Sequence, residues 1–264
     1  MAPTDLTYRC ATALGWLGLK ALGVDVVATD AHHVPRSGPV LFAATHVSYP
    51  DFILIQAAVR ARSRHVRFLT RYDVWHQRLL AKPMDRMQHV AVDREAPAAA
   101  YLHARRLLRE DQAVCSFPEA GISYSYTVRS LMRGVAGLAR ETGAPVVPVA
   151  LWGSQRIWSV GVPDHLGREP RPDLTRGRRV DVAFGEPMLV ARHQDLTDWT
   201  RLLGHRLTEM QEGLQGLSHH RPAPGEHAPW HPTHLGGHAP TRAEATHLDV
   251  LPRSAVAPTW GPTI

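Results

Sequence analysis

Apolar residues along this chain gather in short, nearly continuous runs. "PVLFAAT" at 39–45 is the clearest, and five others are within a residue of its length: 65–70, 88–93, 112–117, 145–152 and 179–184. Unbroken runs of this size predict strands covered on both faces, since a half-exposed strand would alternate apolar and polar positions. Between the runs the apolar spacing lengthens to three or four residues. That spacing predicts helices at 51–62, 72–81, 96–109, 131–142 and 195–214. Strands alternating with helices in this way predict an α/β fold with a largely parallel sheet flanked by helices. A further helix over 5–23 places Cys10, Leu14, Leu17 and Ala21 near one face, with Trp16 and Lys20 beside it. It reads as an amphipathic N-terminal helix that can lie in a membrane interface. No internal repeat is visible.

After Leu217 the pattern breaks. "SHHRPAPGEHAPWHPTHLGGHAP" is rich in His, Pro and Gly, and the last 46 residues hold seven of the 17 His. The expected division is a domain over 1–217 and a tail over 218–264 that wraps across it with Trp230 as anchor. Such a tail has too little apolar surface to fold alone. His231, His234 and His238 lack the Cys or carboxylate cluster that would complete a metal site, so no metal is expected.

Composition narrows the class. The net charge is +6, carried almost wholly by Arg, with Lys only at positions 20 and 82. An anionic partner is implied. The Arg residues are scattered over helices and loops without a recognition element, which argues against nucleic acid. The stretch "GREPRPDLTRGRR" at 167–179 reads as an exposed basic loop. Cys10 and Cys115 are solitary, as in a reducing, cytoplasmic setting. No run reaches the ~20 apolar residues that span a bilayer, so any membrane attachment is peripheral.

The candidate chemistry lies in "THVSYPD" at 45–51, where His46 and Asp51 are five positions apart. Chance can supply that spacing: with 17 His and 14 Asp, a second example occurs at His193 and Asp198. Context separates the two. His46 follows a buried strand and Asp51 opens the next helix, which puts the pair at the C-terminal edge of a parallel sheet, where α/β folds bind ligands. An aspartate there can hold one ring nitrogen and leave the other as a general base. His193 and Asp198 instead sit at the capped start of the last helix, with Asp195 or Thr197 as cap.

The chain resembles the PlsC-like glycerolipid acyltransferases, which include the 1-acylglycerol-3-phosphate acyltransferases. "THVSYPD" is similar to the N-H-x-S-x-x-D block, with Thr45 for Asn. "QHVAVDR" at 88–94 is similar to the second block, and "FPEAGIS" at 117–123 to F-P-E-G-T-R-S. "APVVPVAL" at 144–151, after Arg133-Gly134, is similar to the fourth. The four blocks stand in order within about residues 35–190.

The resemblance implies transfer of a fatty acyl group from acyl-CoA or acyl-carrier protein to the hydroxyl of a lysophospholipid, most simply 1-acylglycerol-3-phosphate. It implies no cofactor and no acyl-enzyme. His46 would be the base and Asp51 its orienting partner. Arg94 would take the acceptor's phosphate, and Glu119, Gly121 and Ser123 would help bind that acceptor. The place of work would be cytoplasmic, peripheral to the inner face of the cell membrane.

Some positions depart from the family pattern. Gln88 and Ala120 stand where Gly is usual, and Ile122 where the third block has Arg. The altered block leaves room for a glycolipid or other hydroxylated lipid as acceptor. A non-catalytic lipid-binding protein of the same fold is the remaining alternative. Ser123 and Arg129 are the residues placed to compensate for the missing Arg.

Overall fold

A computed structural model describes residues 3–93, 96–162, 170–250 and 253–262. The expected strands are present, and each lies within two residues of its sequence-based limits. They are β2 (Val40–Ala44), β3 (Val66–Arg71), β4 (Val90–Val92), β5 (Ala113–Ser116), β6 (Val146–Trp152) and β7 (Arg179–Phe184), joined by an unforeseen β1 (Asp25–Thr29). β1 escaped notice because "DVVAT" is short and its residues are exposed or half-buried, as befits an edge strand. The strand order is β1-β7-β6-β2-β5-β3-β4. Every neighbouring pair is parallel except β6 with β7.

The helices are α1 (Pro3–Ala21), α2 (Asp51–Ala58), α3 (Arg78–Arg86), α4 (Ala98–Arg109), α5 (Gly134–Thr142), α6 (Leu196–Gln215) and the short α7 (Arg242–Ala245). Two expected helices are each broken into an α part and a 3-10 part. Residues 51–62 divide after Ala58, and the 72–81 segment begins as a 3-10 turn over Tyr72–His76 before α3. The N-cap of α6 is Asp195, whose side chain accepts from Thr197 N and Asp198 N. Asp198 itself faces Arg201, 2.7 Å away, as a helix-start carboxylate does.

β2 lies in the middle of the sheet, and all five of its residues are buried. Its successive side chains point to opposite faces, so each face gains its own core. Val40, Phe42 and Ala44 pack with Leu54, Ile55, Trp152 and Phe184. Leu41 and Ala43 pack with Leu107 and Leu108 of α4 and with Trp199, Leu203 and Leu207 of α6. Burial of one such side chain contributes about 1.5–3 kcal/mol. This two-sided packing fixes the end of β2, and with it the backbone that carries His46.

The described residues of the 218–264 segment pack closely on the domain. Their buried anchors are His231, whose ring meets the Trp152 ring edge-on at 5.8 Å, and Trp260, which is 3% exposed. Trp230, the expected anchor, is only half-buried and lies beneath the Arg156 guanidinium at 4.2 Å. Trp260 fits because position 204 is glycine: a Cβ there would meet the indole at 2.5 Å.

Candidate active site

His46 lies just past the C-terminal end of β2, and Asp51 is the first residue of α2. Nδ1 of His46 is 2.9 Å from Oδ2 of Asp51. That oxygen also accepts the backbone N–H groups of Val47 (2.8 Å) and Ser48 (2.9 Å). The other oxygen accepts the hydroxyls of Ser48 and Ser154, the latter at 2.9 Å. Asp51 has no exposed surface, so every bond it makes is internal. A carboxylate that only accepts obliges the ring to donate from Nδ1, which leaves Nε2 with its lone pair. The ring remains 22% exposed and is stacked on Phe117 at 4.2 Å. The expected pair is therefore assembled, at the expected edge of the sheet.

Glu119 follows Pro118 beyond the end of β5 and is 2% exposed. Its two oxygens accept backbone N–H groups, Oε1 from His46 (3.0 Å) and Oε2 from Arg129 (3.1 Å). Burial pushes its pKa up to about 7, against the lowering effects of Arg129 and of those two amides. In this arrangement Glu119 ties the His46 loop to the segment ending at Arg129. Ser123 is 3% exposed and begins a buried run of hydroxyls, 2.9 Å to Ser125 and then 2.8 Å to Thr127. Gly121 lies between them and Glu119, half-buried. Arg94 falls outside the described residues.

The departures at Gln88 and Ala120 have a backbone consequence. Both residues are left-handed, each with φ of 56°. A side chain in that region costs about 1–2 kcal/mol, which glycine avoids. Both turns are thus made here, at some strain, without glycine.

Two residues of this site have no signal in the sequence. Ser154, 103 positions from Asp51, gives no local signal. Asp249 pairs with Arg129 at 3.0 Å from within the tail. Arg129 itself was named only as compensation for a missing Arg. Cys115 is fully buried in β5, where burial drives its thiol pKa far up and removes it as a nucleophile.

His231, His234 and His238 do not converge. His231 approaches Gln215 O, His234 pairs with Glu212 at 2.9 Å, and Nδ1 of His238 accepts from Ala228 N. Among the described residues, one cluster has metal-ligand types close together: Asp181, His219 and His220, with atoms within 4.8 Å. Its carboxylate is already paired with Arg179 at 2.9 Å.

A mostly parallel α/β sheet with an aspartate-held histidine at its edge defines an acyl-transfer enzyme once sequence relatives are added. Residues 25–152 match the Acyltransferase family model. That stretch is an acyltransferase domain, and the chain is similar to the PlsC-type acyltransferases. It is 26% identical over 199 residues to the "Probable 1-acyl-sn-glycerol-3-phosphate acyltransferase" of Mycoplasma pneumoniae, a match covering 70% of each chain. Its fold is similar to the crystal structure of the 1-acyl-sn-glycerophosphate (LPA) acyltransferase PlsC from Thermotoga maritima. That match has a TM-score of 0.63 and 18% identity over 81% of this chain and 82% of that one. No helix among the described residues is long and apolar enough to cross a membrane.

Proposed function

We propose that this acyltransferase moves a fatty acyl group from acyl-CoA or acyl-carrier protein to the free hydroxyl of 1-acylglycerol-3-phosphate. The observation that carries this reading is the 2.9 Å contact from Asp51 to Nδ1 of a ring still 22% exposed. Nε2 of His46 takes the acceptor's hydroxyl proton as the oxygen attacks the thioester carbonyl. The tetrahedral intermediate then collapses, the C–S bond breaks, and the sulfur leaves with the proton from the imidazolium. Asp51 keeps the ring in one tautomer and stabilises the charge it carries midway. Both reactants must be held together, which removes much of the entropic barrier. Arg94 is assigned the acceptor's phosphate, and Gly121 and Ser123 are assigned to the acceptor with it. Glu119 acts on the main chain at His46 and Arg129.

A glycolipid or other hydroxylated lipid is the second reading for the acceptor, favoured by one observation. Ile122 is apolar and buried, and the Arg129 guanidinium is engaged by Asp249.

Membrane contact is proposed through the outer face of α1. Leu6, Leu14 and Leu17 are exposed there, and α3 adds Leu79 and Leu80. Lys20 and Arg60 lie over the Trp16 ring at 4.7 and 5.5 Å, suited to an anionic headgroup layer. α1 packs on α2 through its opposite face, where Gly15 meets Ile53, two residues beyond Asp51. Two free cysteines fit the cytoplasmic side.

The test is thiol release from acyl-CoA or acyl-carrier protein with a panel of lyso-lipids and glycolipids. Release should depend on the acceptor and vanish in His46→Ala. Release that survives the substitution places the base elsewhere. Sedimentation with anionic vesicles should carry the protein down, and a Leu14→Glu/Leu17→Glu variant should stay in the supernatant. Equal pelleting of both would remove α1 from the contact.

A further inference from the structure

The tail is more than a cover. Through Asp249, Val256 and Trp260 it grips the segment that runs on from Glu119. Oδ1 of Asp249 accepts from Nη1 of Arg129 (3.0 Å) and from the backbone N–H of Tyr124 (3.2 Å). Leu131 and Val256 exchange both backbone hydrogen bonds, at 3.1 and 2.8 Å. The Trp260 indole donates to Val128 O at 3.3 Å. The clip is tied to itself, since Nη1 of Arg242 donates to Trp260 O and Pro262 O at 2.9 and 2.8 Å.

Within this clip the Arg129–Asp249 pair is unusual. Each side chain is 8% exposed. Buried ion pairs recover little more than the cost of removing both charges from water, and apolar residues would hold a tail as well or better. What such a pair can supply is a fixed position. Here the fixed object is one link from the catalytic main chain. Arg129 N–H donates to Glu119, and Glu119 accepts in turn from His46 N–H. Glu119 also feels both charges, Arg129 lowering its proton affinity and Asp249 raising it. The family match ends at residue 152, so Asp249 lies outside the matched domain.

We propose that Asp249 is a positioning residue of the acyl-transfer site, acting through Arg129 and Glu119 on the main chain at His46. The C-terminal segment is then a working part of the active site. The catalytic half of this inference rests on the acyl-transfer reading above; the mechanical half does not.

The experiment uses the full chain with Asp249→Asn, which keeps the shape and removes the charge, and Asp249→Ala. Turnover and hydrogen exchange are followed together. Both variants should lose about 10-fold in kcat while the donor KM stays within about twofold, as for a lost alignment. Amide exchange over 45–51 should accelerate about 10-fold or more, along with 124–131, while β6 stays protected. Should Asp249→Ala fail to fold, Asp249→Asn decides. Faster exchange confined to 124–131 and the tail, with kcat per folded molecule unchanged, would overturn the proposal. So would a gain in activity with a lower acceptor KM, since Asp249 would then be occupying the acceptor's place. If the wild-type chain turns over no acceptor, the functional reading falls, and exchange at 45–51 still decides the coupling.

Discussion

Replacing Asp51 by asparagine removes one charge and one acceptor while leaving the side-chain shape nearly unchanged. In the structure Oδ2 takes three N–H donors and Oδ1 two hydroxyls. The asparagine oxygen must face the three N–H groups, because two of them are backbone amides that can only donate. Its NH2 then meets Ser48 and Ser154, whose hydroxyls rotate to accept. The fold should survive, with a loss of about 1–3 kcal/mol as charge-assisted bonds become neutral ones. The larger effect falls on the reaction. As His46 takes a proton, the imidazolium no longer faces a carboxylate 2.9 Å away. Unit charges at about 4 Å in an effective dielectric of about 20 attract by about 4 kcal/mol. With an amide dipole returning about 1 kcal/mol, the barrier rises by about 3 kcal/mol, or about 10²-fold in kcat. KM should change little, since the lost interaction is made only during the reaction. Thiol release at saturating donor and acceptor measures this directly. A folded variant within about threefold of wild-type kcat would show that Asp51 orients the ring without stabilising its charge.

Further outcomes follow from the same geometry. Ser154→Ala leaves Asp51 one donor short and should lower kcat about 3- to 10-fold, given about 1 kcal/mol for one hydrogen bond, with wild-type pelleting on vesicles. Ala120→Gly relieves a left-handed φ of 56° and should raise stability by about 1 kcal/mol in thermal or urea unfolding. Glu119 is held near pKa 7 in the fold against an ordinary 4.5, so folding favours its protonated form. Its contribution is full below about pH 4.5 and is lost as pH rises toward 7; Glu119→Gln should flatten that slope in urea titrations. His220 is pushed down to about 4 by burial, with the neighbouring His219 adding to the effect. Its contribution is therefore present above pH 6.5 and lost as pH falls toward 4, and His220→Gln should make unfolding less sensitive to acid over that range.

Legibility followed the range of the interactions. Runs such as "PVLFAAT" are fully buried strands, so composition alone displayed them, whereas "DVVAT" at the sheet edge has no such burial to advertise itself. His46 and Asp51 were readable because five residues separate them and both flank a strand end. Ser154 and Asp249 were not, because their partners lie 103 and 120 positions away and only the folded sheet brings them together. Glu119 was singled out through its block, but burial gives it two backbone amides as partners, and no spacing rule reveals that. The tail's anchor was misjudged for a related reason. Trp230 looked like the large apolar side chain, yet the hole for an indole exists at Gly204, and Trp260 fills it.

The bridge between Leu131 and Val256 joins residues 125 positions apart. Synthesis proceeds from the N-terminus, at about 5–20 residues per second. The β2 edge and its histidine therefore leave the ribosome many seconds before their last clamp exists. On the positioning role proposed for Asp249, a nascent chain can pair its central strands and still lack the last support of His46 until residues near 256 emerge. Full activity would then arrive late in translation, and a stalled chain short of that point would be folded in outline and slow.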